Sequence, residues 1–251
     1  MKRSRDEEQQ FASDFNDEFE TSAQAIQDIE PVLYRLCVAL QKKKSELVIY
    51  DPYYCQGTVR NHFQCLGFSN FIHAKRDFYK DIDQNSVPSY DVLVTNPAYS
   101  SNHKERCLQF CLASKKPWLL LMPNYVATKD YYHQTISALA SSQRASTSTG
   151  HISLPFYIVP TSKYEYLHPT GAGKNSSPFF SIWYVYLCQE HTGKMYHWMD
   201  KKLSGGGAAA AKYSFSIVKS VQDLKEAGAA PSWKRPNPRQ RKAAKKAKGQ
   251  E

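Results

Sequence analysis

Three nearly continuous apolar segments constrain the fold of this 251-residue chain more than any other feature. They occupy residues 47–50, 90–95 and 117–122, and each is followed by a polar turn or a proline. Strands without polar alternation are buried on both faces, which occurs where helices cover the two sides of a parallel sheet. The sequence therefore predicts an α/β protein with a mostly parallel central sheet.

The segments between and around these strands carry the helices and the remaining strands of the predicted sheet. Apolar residues recur at helical spacing over residues 26–40, 59–66, 103–114 and 128–140. Pro31 is predicted to begin a second helix after a short first one, because proline is favoured in the first turn of a helix. Residues 71–73 form a weak second strand. Residues 152–159 and 179–187 are predicted to pair antiparallel, since no helix separates them.

Composition divides the chain into four segments. Residues 1–18 are polar and acidic and are predicted to be disordered, and residues 19–190 form the predicted globular domain. Residues 191–230 are an extension with a Gly/Ala-rich linker, and residues 231–251 are a basic tail. Within the tail, residues 234–251 carry eight Lys and Arg against Glu251, a net charge of +7, whereas the whole chain carries +10. A tail this basic and poor in large apolar residues is predicted to be disordered and to bind nucleic acid or direct nuclear import. The alternative is a solubilising tail with no dedicated partner.

Several classes of protein are excluded by what the sequence lacks. No segment approaches the roughly 18 apolar residues of a membrane-spanning helix, and no apolar region of a secretory signal follows the charged N-terminus. We therefore expect no membrane association and no secretion. The six cysteines have no spacing typical of a zinc site, so we expect structural thiols and no metal.

Two strand exits are candidates for chemistry, because ligands of open α/β sheets bind beyond the carboxyl ends of the strands. The first is Asp51-Pro-Tyr-Tyr-Cys-Gln-Gly57, and the second is Asn96-Pro-Ala-Tyr99. Taken singly, each has an ordinary explanation: a strand-turn-helix with one glycine, and an Asn-Pro turn with a packed tyrosine. Their combination is more specific than either motif.

Together the two exits resemble the motifs of class I S-adenosylmethionine-dependent methyltransferases that modify amino groups. Residues 51–57 are similar to the Asp-Pro-Phe-x-Gly-x-Gly cofactor loop of that family, and residues 96–99 are similar to its Asn-Pro-Pro-Tyr box. Residues 19–21 (Phe-Glu-Thr) resemble the Phe-x-Thr-Pro segment of adenine-N6 members, with Ser22 in the proline position. The resemblance extends from about Glu20 to Cys188. It implies a Rossmann-like class I methyltransferase fold, with an antiparallel final strand and helices on both faces.

The resemblance implies catalytic roles for three residues of the second motif. The lone pair of an aryl amine is delocalised into its ring, so the amine is a poor nucleophile. Asn96 Oδ1 and the carbonyl oxygen of Pro97 would accept hydrogen bonds from the two N–H groups of this amine and favour the pyramidal nitrogen of the transition state. Tyr99 would stack on the face of the target base.

The resemblance also implies that S-adenosylmethionine is the cofactor. It assigns the cofactor contacts to Thr21, Asp51, Tyr53, Gly57 and Asp77. Asp51 would face the positive amino group of the methionine part. Asp77 would contact either the ribose or the adenine; the alternative for Asp77 is a helix cap or a solvated charge.

Three departures from the family pattern affect these assignments. Cys55 replaces the first glycine of the cofactor loop, so we expect only Gly57 to keep full backbone freedom. Ala98 replaces the second proline of the box and leaves that turn looser. Only 22 residues separate Gly67 from Tyr90, which leaves room for one strand and one short helix.

The connection between the last two strands of the domain is the candidate target-binding segment. In similar enzymes this connection lies beside the target pocket, and its mixture of Lys, Tyr and His suits phosphate contact and stacking. Lys163, Tyr166 and Lys174 are the assigned residues. The alternative is a long surface hairpin. Asn124, just after the strand at residues 117–122, either lines the target side or belongs to an ordinary turn.

We therefore expect an N6-adenine methyltransferase acting on nucleic acid through the target cleft and the tail of residues 234–251. RNA, and rRNA in particular, is favoured over DNA, because the basic tail resembles the tails of nucleolar and ribosome-associated proteins and because the sequence shows no separate DNA-recognition domain. Three alternatives remain open: another nucleobase amino group, a protein glutamine, or a non-catalytic RNA-binding module with an altered cofactor loop. A ribosomal or activating protein partner is also left open. We expect a nuclear or nucleolar location in a eukaryote and a cytoplasmic one otherwise.

Overall fold

Seven strands form one mixed sheet in the computed structural model, which describes residues 19–146, 151–166, 179–205 and 213–229. The strands are β1 (Ile49–Tyr50), β2 (Phe71–Ile72), β3 (Val92–Thr95), β4 (Trp118–Pro123), β5 (Phe156–Pro160), β6 (Ser181–Tyr186) and β7 (Phe215–Val218). The helices are α1 (Ala23–Ala39), α2 (Val59–Cys65), α3 (Phe78–Asp83), α4 (His103–Ser114), α5 (Asp130–Ser146), α6 (Cys188–Ser204) and α7 (Val221–Glu226). A 3-10 helix, Asn124–Thr128, joins β4 to α5.

The strand order across the sheet is β2-β1-β3-β4-β6-β5-β7. Strands β1 to β4 pair in parallel, β6 pairs antiparallel with β4 and with β5, and β7 pairs antiparallel with β5. Five of the seven strands therefore run in one direction. This arrangement confirms the predicted Rossmann-like α/β fold with a mostly parallel sheet, and it confirms the antiparallel pairing of β5 with β6.

Every residue of β3, β4 and β6 is buried, which explains the lack of polar alternation in their sequences. Alternate side chains of these strands enter two separate apolar layers. Val92, Val94 and Leu119 pack with α1 and α2 on one face of the sheet. Leu93 and Leu120 pack with α4 and α5 on the other. Helices on both faces are what these strand sequences predicted.

Helix α1 is continuous, so the expectation that Pro31 begins a second helix is wrong. A proline inside a helix removes one backbone hydrogen bond and costs about 3 kcal/mol. The buried face of α1 offsets that cost, because full burial of each large aliphatic side chain contributes about 1.5–3 kcal/mol. The fully buried aliphatic residues of this face are Ile26, Ile29, Val32, Leu33 and Leu36.

The segment between Gly67 and Tyr90 contains only β2 and α3, which confirms the predicted single strand and short helix. The predicted domain boundary at residue 190 falls inside α6, and β7 continues the sheet beyond it by pairing with β5. No helix in the described ranges is long and apolar enough to cross a membrane. The described residues also contain no cluster of three or more metal-ligating side chains, and the six cysteines are free thiols.

Candidate active site

The two predicted motifs lie side by side at one edge of the sheet. β1 and β3 are parallel neighbours, with Ile49 opposite Val92 and Tyr50 opposite Leu93. Asp51 therefore follows β1 at the same edge where Asn96 follows β3. Thr95 Oγ1 donates a hydrogen bond of 2.5 Å to Asp51 Oδ1 and joins the two strand ends directly. The structure thus brings these two predicted site residues together.

Asp51 is a buried carboxylate held by several polar groups. Its Oδ1 also accepts a hydrogen bond of 3.1 Å from the backbone N–H of Tyr53, and its Oδ2 lies 3.8 Å from His73 Nδ1. Burial raises the pKa of Asp51 from 3.8 to about 6, while His73 and Thr95 lower it and the Glu20 carboxylate raises it. The side chain is therefore ionised at neutral pH in spite of its burial. A buried anion of this kind favours a cationic ligand group.

The loop after Asp51 contains two residues in the left-handed backbone region. Cys55 has φ +46° and Gly57 has φ +81°. A Cβ atom on residue 57 would lie 2.7 Å from the Tyr54 hydroxyl, so glycine is required there by space as well as by conformation. Cys55 holds a left-handed conformation that costs a non-glycine residue about 1–2 kcal/mol.

The segment before α1 crosses the same sheet edge and contacts both motifs. The Glu20 carboxylate is buried and accepts hydrogen bonds from the Gln56 backbone N–H at 2.5 Å and from Thr58 Oγ1 at 2.8 Å. The carbonyl oxygen of Phe19 accepts a hydrogen bond of 3.3 Å from Asn96 Nδ2. Thr21 is buried beside Glu20, and its contact with a cofactor stays a prediction.

Asn96 has a buried side-chain oxygen that no group of the described structure satisfies. Its Oδ1 has no hydrogen-bond partner, although its Nδ2 donates to Phe19. A buried acceptor without a donor costs about 1–3 kcal/mol, so such atoms are rare and point to a ligand. Pro97 and Ala98 are buried next to it, and the Tyr99 carbonyl accepts a hydrogen bond from the buried Lys104 ammonium.

Tyr99 is fixed by its hydroxyl group, which lies in the protein interior. The hydroxyl donates to the Leu121 carbonyl at 3.3 Å and lies 3.2 Å from Ser181 Oγ. Burial raises the pKa of Tyr99 well above its usual value. The ring meets Phe179 edge to face, with the centroids 5.2 Å apart. These contacts hold the ring in one orientation, and its stacking on a base stays a prediction.

Of the predicted target-binding residues, Tyr166 lies next to this motif. The Tyr166 hydroxyl lies 3.5 Å from that of Tyr99, and burial raises the pKa of Tyr166 to about 12. Lys163 is exposed, and Lys174 lies outside the described residues. Between Lys163 and Tyr166, the Tyr164 hydroxyl donates a 2.6 Å hydrogen bond to Asp28 and anchors this segment to α1.

Two predicted cofactor residues use their side chains for structural contacts. The Tyr53 hydroxyl lies 2.8 Å from the Tyr79 hydroxyl, which in turn lies 2.8 Å from His103 Nδ1. Tyr53 therefore points toward α3 and α4. Asp77 Oδ1 accepts hydrogen bonds from the backbone N–H groups of residues 79 and 80, so Asp77 caps α3, the alternative stated for it. Contacts of both residues with a cofactor stay predictions.

Asn124 also has a structural contact. Its Nδ2 donates a hydrogen bond of 2.7 Å to the carbonyl oxygen of Ala229, and its backbone N–H donates to the Phe180 carbonyl. Asn124 therefore ties the end of β4 to the segment after α7 and to the start of β6. This is the turn role that the sequence left open, and it occupies the amide nitrogen.

Five residues at this edge were not predicted from the sequence. Thr95 and His73 contact Asp51, and Glu20 binds the loop that follows it. Lys104 and Phe179 hold the Asn96 motif. A sequence signal existed for two of them, since Thr95 is a polar residue closing an apolar strand and Glu20 lies inside the recognised Phe-Glu-Thr segment. Of the others, Lys104 lies in the helix that directly follows the Asn96 motif, and His73 and Phe179 approach from elements more distant in the chain.

The described geometry combines three features at this edge. A buried carboxylate lies beside a left-handed loop suited to a close backbone approach, and a buried acceptor lies on the neighbouring strand end. The Asp51 carboxylate can hold a cationic ligand group, and the Asn96 oxygen can accept a hydrogen bond from an N–H group of a second molecule. The chain matches no protein-family model, and no curated protein matches it.

Proposed function

We propose that this protein transfers a methyl group from S-adenosylmethionine to an exocyclic amino group, with adenine N6 in RNA as the target. The observation that carries the proposal is the buried, unpartnered Oδ1 of Asn96. This atom lies at the end of β3, directly beside the strand end that presents the Asp51 carboxylate. An acceptor and an anion in this arrangement match the needs of a target amine and a cationic methyl donor.

The acceptor side acts on the target nitrogen. Asn96 Oδ1 and the Pro97 carbonyl oxygen accept hydrogen bonds from its two N–H groups, which favours a pyramidal nitrogen and frees the lone pair for attack on the methyl carbon. The bond from Asn96 Nδ2 to the Phe19 carbonyl fixes the amide, so that its oxygen faces the target. Lys104 holds the Tyr99 carbonyl at the other end of the turn. The acceptors are therefore positioned before the target arrives.

The residues around Asp51 fit the cofactor. S-adenosylmethionine, when bound, would supply a methyl group on a positive sulfur: the target nitrogen would form the N–C bond as the S–C bond breaks, S-adenosylhomocysteine would leave with that electron pair, and the surplus proton of the nitrogen would pass to water. The Asp51 carboxylate would hold the methionine amino group, and the Glu20 carboxylate adds to the negative potential of this edge. The left-handed backbone at Cys55 and Gly57 lets the chain turn closely around a ligand.

Two features favour RNA as the target. Tyr99, Tyr166 and Phe179 place aromatic rings next to the Asn96 motif, and such rings suit the flat face of a base. The tail of residues 234–251 carries a net charge of +7, which favours binding to phosphates. An unpaired adenine is the target that requires no flipping from a duplex.

The first test is calorimetric titration of the protein with S-adenosylmethionine. We expect binding in the micromolar range that Asp51→Ala abolishes, because the variant loses the anion facing the amino group. The second test follows transfer of a labelled methyl group to total RNA. Asn96→Ala should abolish transfer while keeping cofactor affinity within about twofold. Asn102→Ala removes an exposed asparagine whose side chain makes no cap bond, and it serves as the matched control.

Each outcome discriminates between functions. Cofactor binding without transfer to RNA, but with label on a glutamine of a protein, would replace the RNA target by a protein. RNA binding without any cofactor binding would indicate a non-catalytic module. Transfer that survives in Asn96→Ala would refute the assigned acceptor, whatever the target.

A further inference from the structure

Cys55 occupies a backbone conformation suited to glycine, which raises the question of what holds it there. Its φ of +46° brings Cβ close to the following carbonyl oxygen, a contact that glycine avoids. Gly57, two residues later, is also left-handed. The loop therefore contains two left-handed residues, of which only one is free of this cost. A strained residue persists where its surroundings over-determine its conformation.

Glu20 makes hydrogen bonds on both sides of Gly57. Its Oε1 accepts from the Gln56 N–H at 2.5 Å, and its Oε2 accepts from Thr58 Oγ1 at 2.8 Å. The Gln56 N–H belongs to the peptide group that directly follows Cys55, so this bond fixes the backbone rotation of Cys55. Thr58 is the cap residue of α2, yet its hydroxyl makes no cap bond and donates to Glu20 instead.

The segment that carries Glu20 is itself fixed at both ends. On one side, the Phe19 carbonyl accepts the hydrogen bond from Asn96 Nδ2. On the other side, Ser22 caps α1 by accepting from the Ala25 N–H at 3.4 Å. Glu20 is only 5% exposed. One buried carboxylate thus links the loop after β1, through its neighbour Phe19, to the amide after β3.

We infer that Glu20 is a positioning residue that holds the cofactor loop in its binding conformation and couples that loop to the orientation of the Asn96 amide. The inference rests on the proposed function and adds a residue that acts through the loop backbone. Glu20 holds residue 55 in a left-handed conformation that a glycine would adopt without such support. Its loss therefore weakens cofactor binding, and a glycine at that position restores it.

The test is calorimetric titration with S-adenosylhomocysteine of the wild type, Glu20→Ala, Cys55→Gly and the double variant. Glu20→Ala loses two hydrogen bonds to a charged group, so we expect about 10- to 100-fold weaker binding. Adding Cys55→Gly to Glu20→Ala should raise the affinity for S-adenosylhomocysteine again by about fivefold or more, because glycine adopts φ > 0 freely. Cys55→Gly alone, with Glu20 present, should change the affinity less than about twofold, since Glu20 already holds the loop.

Glu30→Ala is the matched control, because it removes a carboxylate of α1 that pairs with Lys44 instead of the loop. Its affinity should stay within about twofold of the wild type. A second readout is single-turnover methyl transfer in Glu20→Ala at saturating cofactor. This rate should fall about tenfold, since the Asn96 amide loses its fixed neighbour.

The outcomes separate the inference from the function on which it rests. If the wild type does not bind S-adenosylhomocysteine, the proposed function is refuted and the inference with it. If the wild type binds and Glu20→Ala binds equally well, or if Cys55→Gly recovers nothing, only the role of Glu20 is refuted. If Glu20→Ala does not fold, Thr58→Val decides, because it removes one of the two hydrogen bonds to Glu20. A loss of affinity of about threefold or more supports the inference, and unchanged affinity refutes it.

Discussion

The ionisation of Asp51 can be tested without any knowledge of substrate. Asp51→Asn removes the charge and keeps the oxygen that accepts hydrogen bonds from Thr95 and from the Tyr53 backbone. In the wild type, burial raises the pKa of Asp51 from 3.8 to about 6. The native protein therefore holds this proton more tightly than the unfolded chain does. We expect wild-type stability to fall, relative to the variant, as the carboxyl ionises.

The magnitude follows from the two pKa values. A tenfold difference in proton affinity corresponds to about 1.4 kcal/mol, so the rise from 3.8 to about 6 corresponds to about 3 kcal/mol in total. The stability that the neutral carboxyl contributes is fully present below pH 3.8 and is lost as the pH rises through about 6. Between pH 4 and pH 7.5 the free energy of unfolding of Asp51→Asn should therefore gain about 2 kcal/mol relative to the wild type.

The measurement is urea unfolding of both proteins at pH 4 and pH 7.5. Comparing the two proteins at each pH cancels the titration of all other groups. Asp83→Asn, which removes the same charge from an exposed position, controls for net charge. A difference between Asp51→Asn and the wild type that stays constant within about 0.5 kcal/mol across this range would refute the assigned burial of the ionised carboxyl.

Three further predictions follow from other contacts. Tyr132→Phe removes the 2.8 Å hydrogen-bond partner of the buried Tyr157 hydroxyl and should lower the free energy of unfolding in urea by about 1–3 kcal/mol. The double variant Tyr132→Phe/Tyr157→Phe leaves no hydroxyl unpaired and should lose less; an equal loss in the two variants would contradict the prediction. Lys104→Met removes the donor to the Tyr99 carbonyl and should slow single-turnover transfer about tenfold or more, with S-adenosylhomocysteine affinity within about twofold; unchanged transfer would count against it. Removing residues 234–251 should weaken RNA binding and lower the slope of log affinity against log salt by about 0.7 per lost phosphate contact; an unchanged slope would exclude the tail from the interface.

The sheet was predictable because burial leaves a local signature. β3 and β4 are buried at every position, and this makes their sequences continuously apolar. The helix at residues 103–114 has the predicted bounds for a similar reason, since its inward residues recur at helical spacing. The carboxyl ends of parallel strands meet at the same edge of the sheet, whereas the direct pairing of β1 with β3 is a finding of the structure. Local patterns therefore sufficed to place Asp51 and Asn96 at one edge.

The contacts that shape the site were not predictable in the same way, because they join residues far apart in sequence. Glu20 bonds to residues 36 and 38 positions away, and Tyr99 lies against Tyr166, 67 positions away. Pro31 shows the same limit within one helix. Its local preference predicted a helix start, but the buried face on both sides of it decided for continuity. Tertiary packing overrides a preference of this size.

Cys55 and Ala98 stand where the motifs that residues 51–57 and 96–99 resemble have a glycine and a proline. In each case a buried charged side chain binds the same turn. Glu20 accepts from the peptide after Cys55, and Lys104 donates to the carbonyl after Ala98. Charge-assisted hydrogen bonds are about twice as strong as neutral ones, so they can hold turns that the local sequence leaves loose. Such turns depend on side chains from outside the motif, whereas glycine and proline act through the unfolded chain as well. A motif search that scores only residues 51–57 and 96–99 therefore underrates how firmly this site is built.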